Sequence, residues 1–266
     1  VLTLIGKHEN YLNTNIVKRV ENCFRVMNVE TKTCWLSDEE ACDIYFSEVS
    51  CGTVEKVIRR ELIDKEVDLA AQPRENRRKR LLLADMDSTI VTTETIDQMA
   101  EHIGLKDIVS EITARAMNGE LPFEKALKDR AKMLKGVDVN VINEVISELE
   151  FSAGAKVLIK TMSEYGAYTA LVSGGFRYFT KHVRDTLGFS CEYGNELEII
   201  DKKITGKLIG KLITPSKKRQ IFFQLLLKHK LNGEQAIAIG DGANDLPMLK
   251  AAGLGVAYHA KPNVTE

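Results

Sequence analysis

Leu81-Leu82-Leu83-Ala84 runs without a break into Asp85-Met86-Asp87-Ser88-Thr89. An apolar run that shows no polar alternation marks a strand covered on both faces, as in parallel sheets. The pattern returns twice. Thr169-Ala170-Leu171-Val172 leads into Ser173-Gly174-Gly175, and Ala236-Ile237-Ala238-Ile239 leads into Gly240-Asp241-Gly242-Ala243-Asn244-Asp245. Helical spacing at 155–165, 176–187 and 216–230 separates these runs, and residues 196–209 read as a hairpin around Asp201-Lys202-Lys203. Strand and helix alternate, so an α/β domain with a parallel sheet is expected over 81–266. Ligands in such sheets bind beyond the carboxyl ends of the strands, so the three polar segments are expected to converge.

Residues 92–150 show no strand pattern. They predict amphipathic helices broken at Gly104, Gly119, Pro122 and Gly136, inserted into the α/β domain as a cap. On the other side, residues 73–80 contain a proline and several basic residues and predict a solvated linker. Residues 1–72 predict the order βαββαβ, which suggests a small ferredoxin-like unit.

The sequence of 266 residues is 28% charged with a formal net charge of −1, so no global charge draws it to nucleic acid or to an anionic membrane. No apolar run approaches the roughly 20 residues of a membrane span. Five cysteines, an odd number without Cys-x-x-Cys spacing, predict reduced thiols and a cytoplasmic protein. No signal-peptide pattern is visible, although the sequence given starts at Val1.

Convergence of Asp85, Asp87, Asp241 and Asp245 would gather four carboxylates, and their mutual repulsion demands a cation. An all-oxygen donor set favours Mg²⁺ over zinc, and Mg²⁺ in turn favours a phosphate ligand. Ser173, the backbone at Gly174-Gly175, the helix beginning near Phe176 and a lysine at 217 or 218 could hold that phosphate. A carboxylate in line can then attack phosphorus, and a second one two residues on can act as acid and base.

Asp85-Met86-Asp87-Ser88-Thr89, Ser173-Gly174-Gly175, Lys218 and Gly240–Asp245 resemble the four motifs of the haloacid dehalogenase superfamily. Residues 85–97, 116–130, 172–176, 240–246 and Ala260-Lys261-Pro262 resemble its phosphoserine phosphatases in particular. The resemblance implies a Rossmann-like sheet with a helical cap, Mg²⁺ as cofactor and hydrolysis of phosphoserine, the last step of making serine. It implies that Asp85 is nucleophile and metal ligand, and that Asp87 is acid/base with its backbone carbonyl on the metal. It places Asp241 and Asp245 in the metal shell, and Ser173, Gly174 and Lys218 on phosphate. It puts Glu94, Phe123, Arg130 and Asn244 on the substrate, where Glu94 and Arg130 match the ammonium and carboxylate of phosphoserine. It also implies a further strand and helix beyond Ala260-Lys261-Pro262, whereas the sequence given ends at Glu266.

Alternatives remain at this point. Another small phosphomonoester could be the substrate of a phosphatase or phosphotransferase. A receiver domain also uses a strand-end Asp, a metal and a Lys, but has no need of a second Asp or a cap. Gly240–Gly242 lacks the spacing of a dinucleotide site. Residues 1–72 resemble amino-acid-binding modules of the ACT type, for which a homodimer is one arrangement.

Overall fold

The computed structural model describes residues 1–265. Backbone contacts divide them into two units, the first ending at Arg78 and the second beginning at Lys79.

The first unit runs β1 (Leu2–Gly6), α1 (Thr14–Val26), β2 (Thr31–Ser37), β3 (Ala41–Phe46), α2 (Cys51–Glu61) and β4 (Val67–Ala71). Its strands form an antiparallel sheet in the order β2-β3-β1-β4. Asn13 caps α1 by accepting from the N–H groups of Asn15 and Ile16, and Ser50 caps α2 by accepting from Thr53. That second cap starts α2 at Cys51, three residues before the apolar spacing alone predicts. Leu2, Leu4, Cys42 and Ile44 pack with Ile16, Val20, Phe24, Val54 and Ile58 in one apolar core. Two basic residues of segment 73–80 are held by this unit and are not merely solvated. Arg77 donates to Asp43 at 2.7 Å, offsetting a carboxylate buried on the sheet, and the Arg74 guanidinium lies 5.7 Å from the centre of the Tyr45 ring.

The second unit opens with β5 (Leu81–Ala84). The cap follows as α3 (Thr95–Glu101), α4 (Lys106–Met117), α5 (Phe123–Met133) and α6 (Asn140–Glu148). Then come α7 (Ala155–Glu164), β6 (Tyr168–Phe176), α8 (Arg177–Leu187), β7 (Cys191–Ile200), β8 (Lys203–Ile209) and α9 (Pro215–His229). β9 (Ala236–Gly240), α10 (Leu246–Leu249), β10 (Leu254–Ala257) and α11 (Pro262–Thr265) complete it. The sheet order is β10-β9-β5-β6-β7-β8, parallel except for the β7–β8 pair.

β5 lies at the centre of this sheet, and its alternate residues enter different cores. Leu82 and Ala84 pack with Ile159, Phe179 and Val183, while Leu81 and Leu83 pack with Ile221, Phe222 and Leu225. Both faces are therefore covered, which is why the strand reads as an unbroken apolar run. Register aligns the three strand ends: Ala84 is level with Leu171 of β6 and with Ile239 of β9. The polar segments that follow must leave the sheet side by side.

Among the strands, three depart from the sequence expectation. β6 continues through Gly174-Gly175 to Phe176, with a register shift after Val172. β7 begins at Cys191, before the hairpin, because residues 191–193 pair with β6. β10 was not foreseen, since it is a short edge strand exposed at alternate residues. At the root of the cap, an isolated bridge between Val91 and Phe151 ties its two connections together. Among the described residues all five cysteines are free thiols, and no helix is long and apolar enough to cross a membrane.

Candidate active site

Asp85 is the first residue after β5, and its N–H donates to the Ile239 carbonyl at 2.9 Å. Its own Oδ1 accepts from the Met86 N–H at 2.7 Å and from Lys218 Nζ at 2.8 Å. Lys218 also reaches Asp245 Oδ1 at 2.7 Å, and neither of these two side chains has any exposed surface. Burial works to lower the lysine pKa, but the Asp245 and Asp85 carboxylates outweigh it and hold the ammonium above its ordinary range. Lys217, the neighbouring candidate, instead turns outward to Gln220 at 2.9 Å. Helical phase separates the two lysines: 218 shares a face with the buried Ile221, Phe222 and Leu225.

Asp85, Asp241 and Asp245 each offer a carboxylate oxygen within 4.8 Å of the others, a buried group that could hold a metal ion. Asp241 is pushed up to about 6, first by burial and then by Asp85. Burial and Asp85 likewise raise Asp245 well above the usual carboxylate range. One lysine does not offset three buried carboxylates, so the donor set fits a hard divalent cation. Asn244 adds a second sign of fit, because its buried Oδ1 has no hydrogen-bond partner while its Nδ2 lies 3.4 Å from Asp85 Oδ2.

These shifts predict how pH acts on metal binding. A carboxylate with a raised folded-state pKa stabilises the cation-free fold at low pH, and that contribution is lost as pH rises from 3.8 through about 6. A divalent cation must displace the proton held by the folded protein, so its affinity should fall up to about tenfold per pH unit below about 6. Thermal unfolding in EDTA and in MgCl₂ checks the result: the gap between the two curves should widen from pH 5 to pH 7. A constant gap contradicts it.

Asp87 stands apart from the metal-ligand group. Its Oδ1 accepts from the N–H and the hydroxyl of Thr95 at 2.8 and 2.7 Å, and its Oδ2 accepts from Ser173 Oγ at 3.0 Å. Burial, followed by Asp85, raises the Asp87 pKa, which suits a proton donor.

One cavity is lined by Asp85, Asp87, Glu94, Phe123, Arg130, Ser173, Gly174 and Asn244. Phe123 lies against Gly174 so closely that a Cβ there would come within 2.4 Å of the ring. Arg130 is buried, with Nε on the Ala126 carbonyl at 3.3 Å and a terminal nitrogen on Thr113 Oγ1 at 2.8 Å. Among the described residues no carboxylate comes within 4.0 Å of its guanidinium. Glu94 accepts from Ser88 Oγ at 2.9 Å, and burial, then Asp87 and Asp241, raise its pKa well above normal. A larger, open groove on this unit is lined by lysines that include Lys128 and Lys132 of α5 and Lys207 of β8, and by none of the four aspartates or Glu94.

Thr89 and Thr95 lie within the quoted segment 85–97, but the sequence assigned no role to them or to Thr113. Thr89 donates to Asp241 Oδ1 at 3.2 Å, and the other two orient Asp87 and Arg130. Threonines within mixed segments carry no periodic signal that could have marked them.

The haloacid dehalogenase-like hydrolase model matches residues 79–253, the stretch that carries the four motif segments but not Ala260-Lys261-Pro262. The chain belongs to the haloacid dehalogenase-like hydrolases. A curated phosphoserine phosphatase of Archaeoglobus fulgidus is 43% identical over 210 residues, covering 78% of this chain and 61% of that one. The chain spans about half to three fifths of the length of such curated relatives. A solved phospho-aspartyl intermediate analogue of phosphoserine phosphatase superposes with a TM-score of 0.68 at 36% identity, covering 71% of this chain and 90% of that one. The unliganded probable phosphoserine phosphatase of Vibrio cholerae gives 0.75 at 30% identity, covering 99% and 79%. In this haloacid dehalogenase-like chain, then, three of the four motif segments line the cavity described above, and the fourth, Lys218, bonds to Asp85 in its wall.

Proposed function

We propose that the chain is a Mg²⁺-dependent phosphoserine phosphatase, hydrolysing O-phosphoserine to serine and phosphate through an aspartyl-phosphate on Asp85. The observation that carries the substrate assignment is Arg130. A buried guanidinium in the cavity that also holds Asp85, with Glu94, Asp97 and Asp87 acting on it only from beyond ion-pair distance, is a costly arrangement that an anionic ligand group in direct contact would offset. Glu94, across the same lining, offers an acid for an ammonium. The likeness to phosphoserine phosphatases supports the same assignment.

Asp85 Oδ1 is held by Met86 and Lys218, which leaves Oδ2 as the freer oxygen for attack on phosphorus. Lys218, Ser173 Oγ and the backbone at Gly174-Gly175 face the phosphoryl oxygens and offset their charge. As the bond to the serine oxygen breaks, Asp87 gives that oxygen its proton. Asp87 then takes a proton from water, whose oxygen attacks phosphorus, releases phosphate and restores the Asp85 carboxylate. Asp85, Asp241, Asp245 and the Asp87 carbonyl would hold Mg²⁺, which supplies positive charge against the phosphate. Phe123 closes the cavity against water from the cap side.

Replacing Arg130 with Met tests the assignment. KM for phosphoserine should rise about 100-fold through loss of a charge-assisted pair. Phosphoethanolamine, which lacks the carboxylate, should be turned over at a rate within a few-fold of that of the parent enzyme. Equal losses on both substrates, or better parent activity on phosphothreonine or sugar phosphates, would assign the site to another small phosphomonoester.

For residues 1–72, the βαββαβ order and antiparallel sheet support an ACT-type module that binds an amino acid or a second copy of the chain. A cytoplasmic enzyme in serine synthesis accords with free thiols throughout.

A further inference from the structure

Asn195 lies on β7, only 2% exposed, and the cavity lining does not include it. Its Nδ2 donates to the Gly174 carbonyl at 2.7 Å, and its Oδ1 accepts from the Ile213 N–H at 2.8 Å. Ile213 immediately precedes Thr214, whose hydroxyl caps α9, the helix that carries Lys218. A single buried carboxamide thus joins the two segments that face phosphate. We propose that Asn195 is a positioning residue for the phosphoryl group, locking the Gly174–Gly175 peptide and the start of α9 in mutual register. This inference rests on the phosphatase assignment above.

The physical need arises at the glycines. A Cβ on Gly174 would come within 2.4 Å of Phe123, and one on Gly175 within 2.6 Å of Asp87 Oδ2, so the site excludes side chains at both positions. Two adjacent glycines are also the softest backbone available, and something outside them must fix their orientation. Asn195 provides that restraint. Across a trans peptide the C=O and N–H point in opposite directions, so holding the Gly174 carbonyl also aims the Gly175 N–H. That N–H donates to Ser173 Oγ at 2.7 Å, and Ser173 Oγ in turn donates to Asp87 Oδ2 at 3.0 Å. The carboxamide therefore stands at the head of a hydrogen-bond chain that ends on the acid/base carboxylate, and each link polarises the next. Its other end restrains Lys218 through the cap of α9.

Asn195→Asp keeps the size and the acceptor for Ile213 but removes the donor to Gly174. Phosphoserine turnover, inhibition by orthovanadate and inhibition by L-serine are measured for this variant, for Asn195→Ala and for the parent enzyme. Because misplacing phosphate-facing groups by a fraction of an ångström is costly, kcat should fall about 10- to 100-fold. Vanadate inhibition should weaken by a similar factor, and serine inhibition, which involves no phosphate, should hold within about twofold. A kcat and vanadate response within about threefold of the parent would overturn the inference, as would equal weakening toward vanadate and serine. No turnover of phosphoserine by the parent enzyme would instead refute the phosphatase assignment. If neither variant folds, a crystal of the parent enzyme with MgCl₂ and orthovanadate decides. The Gly174 carbonyl still bonded to Asn195 supports the inference, and a flipped Gly174–Gly175 peptide overturns it.

Discussion

Asp85→Asn is expected to abolish turnover of phosphoserine, with kcat at least about four orders of magnitude below the parent enzyme, as for other lost nucleophiles. The carboxamide occupies the same volume, its oxygen can still accept from Met86 and Lys218, and its new N–H can be met by the unpartnered Oδ1 of Asn244 once that amide turns. What disappears is the negative charge proposed to attack phosphorus. The same change removes one of the carboxylates that repel each other around Lys218. In EDTA the variant should therefore unfold at a temperature no lower than the parent does. Steady-state assays with single-turnover controls, beside thermal unfolding, check both halves. An Asp85→Asn protein that keeps more than about one per cent of parent activity would remove Asp85 from the nucleophile role.

Lys218→Met should act on stability as well as on rate. The side chain is fully buried and bonds to Asp85 and Asp245, so its loss leaves two buried carboxylates without their shared counter-charge. Breaking a buried pair in this way costs about 3–5 kcal/mol. Urea denaturation in EDTA should show the loss at neutral pH. MgCl₂ should restore part of it, because a divalent cation serves the same carboxylates. Turnover should fall about 100- to 1,000-fold even with saturating MgCl₂, since a donor proposed to face the phosphoryl group is gone. Lys217→Met, on the exposed face of α9, should leave both quantities close to the parent values. If the two variants behaved alike, the assignment of position 218 to the phosphate would fail.

The sequence carried its information in short, local patterns. Buried strands announce themselves because a strand covered on both faces has no polar alternation, and the polar residues after 84, 172 and 239 mark where each strand meets the ligand side. Asp85, Asp87, Ser173, Asp241 and Asp245 were legible for that reason. The βαββαβ order of the first unit was legible too, since alternation and helical spacing sit on contiguous residues. Helix starts were less so: at α2 the cap at Ser50 sets the boundary, not the apolar period.

Other features depend on partners far away in the chain, and only the tertiary structure settled them. Apolar runs say that a strand is buried but not beside which strand, so the level register of β5 with β6 and β9 came from the fold. Between Lys217 and Lys218, the packing of α9 against the sheet made the choice. The lack of a carboxylate within ion-pair distance of Arg130 and the two hydrogen bonds of Asn195, to Gly174 and to Ile213, could not be read from the sequence, because hydrogen-bond satisfaction is a property of neighbours in space. Residue pattern fixes what each segment must bury; the closing of the parallel sheet decides which polar groups then meet.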